Sequence, residues 1–179
     1  MPEEQPLSRS NLVKNVLIIL LCLGIVPFTI LTGAMVPPAR MISFIGAILA
    51  FQPFASSVGL VLGVPPGAIL GTMLFVGFGA VTAILTLCDL FAHRWGRLAN
   101  AIGKVQEHLG RSERFRKYGI VMLFPFIWVP GLGLYGCTMV AWLFNWRQVH
   151  HIIVLMAAWM IAVIIVLATS LGVLSFAVS

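Results

Sequence analysis

The side chains able to bind or react form a few small groups in an otherwise apolar chain. Gln52, Pro53, Ser56 and Ser57 interrupt one apolar segment; 129–133, with Pro130, Gly131 and Gly133, interrupts another, and Tyr135 and Thr138 follow it. The first group offers amide and hydroxyl groups, and the glycines of the second can bring bare backbone N–H groups to a ligand. Both are binding chemistry. A nucleophile elbow, an HExxH helix, a carboxylate pair and a P-loop are all missing from the sequence, so no enzymatic activity is expected. Cys22, Cys88 and Cys137 are far apart, lie in apolar surroundings and form no CxxC pair, and they read as small core hydrophobes. His150 and His151 have no partner at ligand spacing and read as interface residues, so neither a metal nor a cofactor is expected.

The elements that position these groups follow from composition. Of 179 residues, 60% are hydrophobic and 9% charged, with a mean hydropathy of +1.06. A soluble domain carries about 25% charged residues, and its core cannot absorb so much apolar side chain. The expected class is an all-α integral membrane protein forming one membrane domain. A net charge of +6 does not imply nucleic acid, because the basic residues sit in short segments between apolar blocks, where they control topology and meet anionic headgroups.

Residues 1–14 read as a polar tail and 15–36 as a first, retained span, too long for a signal-peptide core and kinked near Pro27. Segment 41–64 is apolar but broken at Gln52-Pro53, and neither half, at about 17 Å as a helix, can cross about 30 Å of hydrocarbon. It either crosses once with a broken middle or dips in and returns. A full span over 68–90 follows, rich in small residues that let another helix approach. The 93–119 stretch is basic, and its apolar residues recur at helical spacing, as in an amphipathic helix lying on the membrane surface. Arg111, Arg114, Arg116 and Lys117 there, with Arg147 beyond, are the candidates for lipid headgroups. Segment 120–144 is broken at 129–133, and 152–173 forms a last span.

Two blocks, 41–92 and 120–179, thus share one form: a broken segment, then a full span. If both broken segments are re-entrant and the N-terminus is cytoplasmic, ten basic residues lie inside and only Arg40 outside; full crossings leave eight against three. The favoured architecture is three full transmembrane helices plus two re-entrant helical hairpins in an inverted repeat, a layout known from transporters. Irregular backbone at membrane depth must be shielded or line a wet cavity, which makes the two breaks the expected substrate-binding region.

The runs Lys117-Tyr118-Gly119, Phe124-Pro125, Pro130-Gly131-Leu132-Gly133 and Ala141-Trp142-Leu143, with Gly63-Val64-Pro65-Pro66 earlier, resemble the small multidrug export protein family, related to the DedA or VTT (SNARE-associated) superfamily. The resemblance covers roughly residues 45–175. It implies two membrane-penetrating hairpins and a transport role, with lipid-phosphate carriers or cationic drugs as substrates. The family's Glu and Arg ahead of its first Gly-x-Pro-Pro correspond to Phe51 and Pro53 here, so a proton-coupled or phosphate-gripping mechanism is not carried over.

The expectation is a cell-membrane, multi-pass transporter for an amphiphilic or lipid-like substrate, with membrane lipids and a second copy as partners. The alternative is a membrane assembly or scaffold protein whose hairpins serve packing alone. From 41 to 88 and from 118 to 146 there is no acidic, basic or histidine residue, so Asp89, at the end of a span, is the coupling candidate.

Overall fold

The computed structural model describes residues 9–94, 133–143 and 149–178. These residues are helical apart from short turns, and no strand occurs among them. The first span comprises α1 (Arg9–Leu20), a π-helical turn (Leu21–Ile25) and α2 (Val26–Gly33). Helix α1 therefore starts inside the stretch read as a tail. The irregularity expected near Pro27 takes the form of that π turn, in which the Val26 N–H reaches the Leu21 carbonyl. Proline lacks an N–H and its ring collides with the carbonyl four residues back; widening the preceding turn relieves both.

The first broken segment is α3 (Pro38–Phe51), a 3₁₀ turn (Gln52–Phe54) and α4 (Ala55–Val61). By length and apolarity Pro38–Val61 could cross a membrane. Its ends, however, lie together. In a straight helix residues 40 and 62 would be about 33 Å apart, yet Arg40 Nη1 donates to the Leu62 carbonyl at 3.1 Å. Between them, Gly59 packs so closely that a Cβ there would sit 2.6 Å from Phe44 Cε2. Helix α4 ends in a Schellman turn: Gly63, at φ +76°, donates to the Leu60 carbonyl, and Val64 to that of Gly59. The Arg40 guanidinium thus binds a carbonyl at the negative end of α4, where a cation is favoured.

Pro66 opens α5 (Pro66–Arg94) at the position where proline's missing N–H costs nothing. The first span runs antiparallel to α5 along its whole length. Asn15 meets Thr86, Leu23 meets Gly79 and Ile30 meets Gly71, so residue number rises along one helix as it falls along the other. Two more helices complete the described chain, α6 (Gly133–Leu143) and α7 (Val149–Val178). The small residues of α5 allow the approach expected of them: a Cβ on Gly77 would lie 2.5 Å from Trp159 Cζ3 of α7. The core lies where α3, α4, α5, α6 and α7 converge, around Phe44, Ile69, Met73, Leu134 and Trp159.

Among the described residues, four segments are long and apolar enough to cross a membrane: Leu12–Gly33, Pro38–Val61, Pro66–Phe91 and Ile152–Val173. The second break, with Pro130 and Gly131, and the basic stretch carrying Arg111, Arg114, Arg116 and Lys117 lie outside the described residues, as does Arg147.

Candidate functional site

The site is built where the tip of the first broken segment meets the start of α6. Proline at 53 cannot donate an N–H, and the helix ends just before it, at Phe51. Gln52 takes φ 54° and ψ −122°. Those angles belong to the first central position of a type II′ turn, which glycine normally fills. A side chain held there is strained, and such residues gather at functional sites. Gln52 is also 1% exposed, and its Oε1 accepts the Leu134 N–H at 2.8 Å. One residue along, the Tyr135 hydroxyl donates to the Leu49 carbonyl at 2.7 Å. The amide oxygen therefore satisfies one of the N–H groups a helix start leaves open, while Tyr135 takes up a carbonyl near the end of α3.

Length shows where this junction sits. Helix α3, with 14 residues, is about 21 Å long, and Leu134 to Trp142 spans about 12 Å. Together these match the roughly 34 Å from Pro66 to Asp89 along α5. Both ends are fixed: Arg40, near the start of α3, binds beside the turn that leads into α5, and Trp142 Nε1 donates to Asp89 Oδ1 at 2.8 Å. Helices α3 and α6 thus form a two-part column beside α5, joined tip to tip at Gln52 and Leu134.

The remaining expected site residues take varied places. Pro53 is buried beside Gln52, and Gly133 is buried at the start of α6. Ser56, fully buried, turns its hydroxyl to the Pro53 carbonyl at 2.8 Å, and the Thr138 hydroxyl donates to the Leu134 carbonyl at 2.6 Å. Ser57 faces away from the junction toward α7, where it meets Ser170 at 2.7 Å. Ser170 already donates to the Val166 carbonyl, so Ser57 is the donor of the pair. Asp89 belongs to a polar level near the end of α5, with Trp142 on one side and, one turn away, Thr86 accepting from Asn15 at 3.3 Å.

Sequence reasoning missed Leu134, which acts through its backbone, and Ser170, whose hydroxyl in an apolar helix was a usable signal. Three buried polar atoms have no hydrogen-bond partner among the described residues: Gln52 Nε2, Thr72 Oγ1 and Trp159 Nε1. Such atoms are uncommon, because burying an amide or hydroxyl unpaired costs about 1–3 kcal/mol. Among the described residues no cluster of three or more His, Cys, Asp or Glu side chains is placed to hold a metal ion.

Fold and site define a class, an all-helical multi-pass membrane protein in which a broken helical segment meets the start of another helix in the packed interior. Comparison with family models, curated proteins and solved structures finds no match for the chain.

Proposed function

We propose that the chain is a small cell-membrane transporter, with its N-terminus cytoplasmic, that moves an amphiphilic or lipid-like substrate through a site between two re-entrant hairpins. The observation that carries this reading is the Gln52–Leu134 hydrogen bond, a polar joint between two half-length helices in the packed interior. Half-helices meeting at mid-depth, with the start of one available to a ligand, are the arrangement that alternating-access transporters use. The folded-back form of Pro38–Val61 supports re-entry of the first hairpin from the side of Arg40, and α6, reaching from the junction to Asp89, supports entry of the second from the opposite side. The resemblance to the small multidrug export family points the same way, and the chain's small size and small-residue helix faces suit a second copy as partner, with membrane lipids around it. Arg111, Arg114, Arg116, Lys117 and Arg147 recruit anionic headgroups, and Asp89 is the coupling residue. Substrate moves without covalent chemistry.

The test is flux in liposomes holding the purified full chain, with fluorescent lipid-phosphate, cationic and uncharged amphiphiles as probes. Transport above empty liposomes for at least one class is expected. A folded protein that moves none of them leaves the second reading, a membrane assembly protein, which the tight packing of Gly59, Gly77 and Gly79 favours.

A further inference from the structure

We infer that the junction recognises an uncharged hydrogen-bond acceptor, a hydroxyl, ether or carbonyl oxygen on the substrate's polar end, and that Gln52 is the residue that donates to it. This rests on the transport reading above and narrows its substrate class. Two observations converge at the site. The first turn of α6 presents backbone N–H groups, one of which, that of Leu134, is satisfied by the Gln52 amide oxygen. The same amide's Nε2, within a residue 1% exposed, has no partner among the described residues. Because Oε1 rests on the Leu134 N–H, Nε2 is held beside that helix start as well. In this closed form the amide oxygen stands where a ligand's acceptor would be. When the tips part, the Leu134 N–H and Gln52 Nε2 become two donors that an incoming oxygen can accept from together.

Charge excludes the other classes from the junction. Segments 41–88 and 118–146 contain no Asp, Glu, Lys, Arg or His, and neither do 15–39 and 152–179. Among the described residues, a phosphate brought there would find only amide donors and a helix start worth about half a charge. That falls far short of the cost of bringing an unpaired ion into a low-dielectric interior. A cation would find no carboxylate, since Asp89 lies at the far end of α6 and already accepts from Trp142. An uncharged headgroup bears no such penalty, and its oxygens relieve the open donor. The strain at Gln52 fits the same role. Glycine would take its backbone angles without cost, so what the position retains is the amide.

The test measures binding to the full chain in phosphatidylcholine nanodiscs. The probes are monoglucosyl-diacylglycerol and phosphatidic acid with identical acyl chains, and ethyl glucoside as the soluble, chain-free source of the same oxygens. The variant is Gln52→Gly, which removes the amide and suits the backbone; Gln52→Asn, which shortens it, is the second. Glucosyl lipid affinity is expected to fall about tenfold in Gln52→Gly, and phosphatidic acid retention, set by the basic segments, is expected to stay unchanged. Ethyl glucoside competing with the lipid shows that the sugar alone suffices; failure to compete shows that the acyl chains are needed too, and the Gln52 dependence decides the inference in either case. Glucosyl lipid binding that is equal in wild type and Gln52→Gly overturns it, and so does a Gln52-dependent preference for phosphatidic acid. Flux separates this outcome from the broader reading. Gln52-dependent glycolipid binding without transport refutes the transporter alone, whereas transport of a charged amphiphile indifferent to Gln52 refutes the acceptor site alone.

Discussion

Replacing Gln52 in turn by glycine and by alanine isolates the backbone strain at the junction. Both variants lose the amide, the hydrogen bond to Leu134 and the unpaired Nε2, so their difference reports the backbone alone. In an ordinary helix alanine is better than glycine by about 1 kcal/mol. At φ 54° and ψ −122° the order reverses, because a Cβ in a sparsely allowed region costs about 1–3 kcal/mol. Gln52→Gly is therefore expected to be more stable than Gln52→Ala by about 1–2 kcal/mol. Against wild type, Gln52→Gly gains relief of strain and of the buried Nε2, and loses both the 2.8 Å bond that satisfies the Leu134 N–H and the packing of a side chain that is 1% exposed. Each contribution is about 1–3 kcal/mol, which places the variant near wild type in stability. Reversible unfolding in mixed micelles, followed by circular dichroism, gives both differences. If the alanine variant proves as stable as the glycine variant, Gln52 is not strained and its place as a functional residue loses its physical basis.

Three further outcomes are expected. With Ala39→Cys and Gly67→Cys, both at exposed positions, a membrane-impermeant thiol reagent added from one side of sealed vesicles labels both or neither; labelling from opposite sides would mean that Pro38–Val61 crosses the membrane after all. Gly77→Ala forces a Cβ to within 2.5 Å of Trp159 Cζ3, and because that ring is 1% exposed and cannot retreat, a loss of about 1–3 kcal/mol follows; unchanged melting would show that α5 and α7 are not held in this register. Asp89→Asn keeps an acceptor for the Trp142 indole but removes the carboxylate, so flux loses its dependence on pH, and a pH profile identical to wild type removes the coupling role.

What could be read from residue order is what depends on residue order. Apolar runs of spanning length, the break at Gln52-Pro53 and the turn at Gly63-Val64-Pro65-Pro66 follow from side-chain transfer energies and local backbone rules, which need no knowledge of neighbours. The π turn before Pro27 was expected only as a kink, since proline forbids one hydrogen bond without dictating how the helix accommodates the loss. Gln52, Tyr135 and Asp89 were legible as polar groups in apolar surroundings. Which of them meet was not. Ser57 was placed with Gln52 by proximity in sequence, yet it faces Ser170 on α7, because successive helical residues point about 100° apart.

The sequence by itself determined a membrane-embedded helical chain, free of charge through its apolar segments, with a polar break in 41–64. Only the tertiary structure decided that this segment doubles back so that Arg40 reaches Leu62, and that the tip of α3 abuts the start of α6. Composition cannot distinguish a broken crossing from a hairpin, since both bury the same side chains. Nor can it name the long-range partners: a carbonyl for Arg40, an N–H for Gln52 and an indole for Asp89 lie 22, 82 and 53 residues away in the chain.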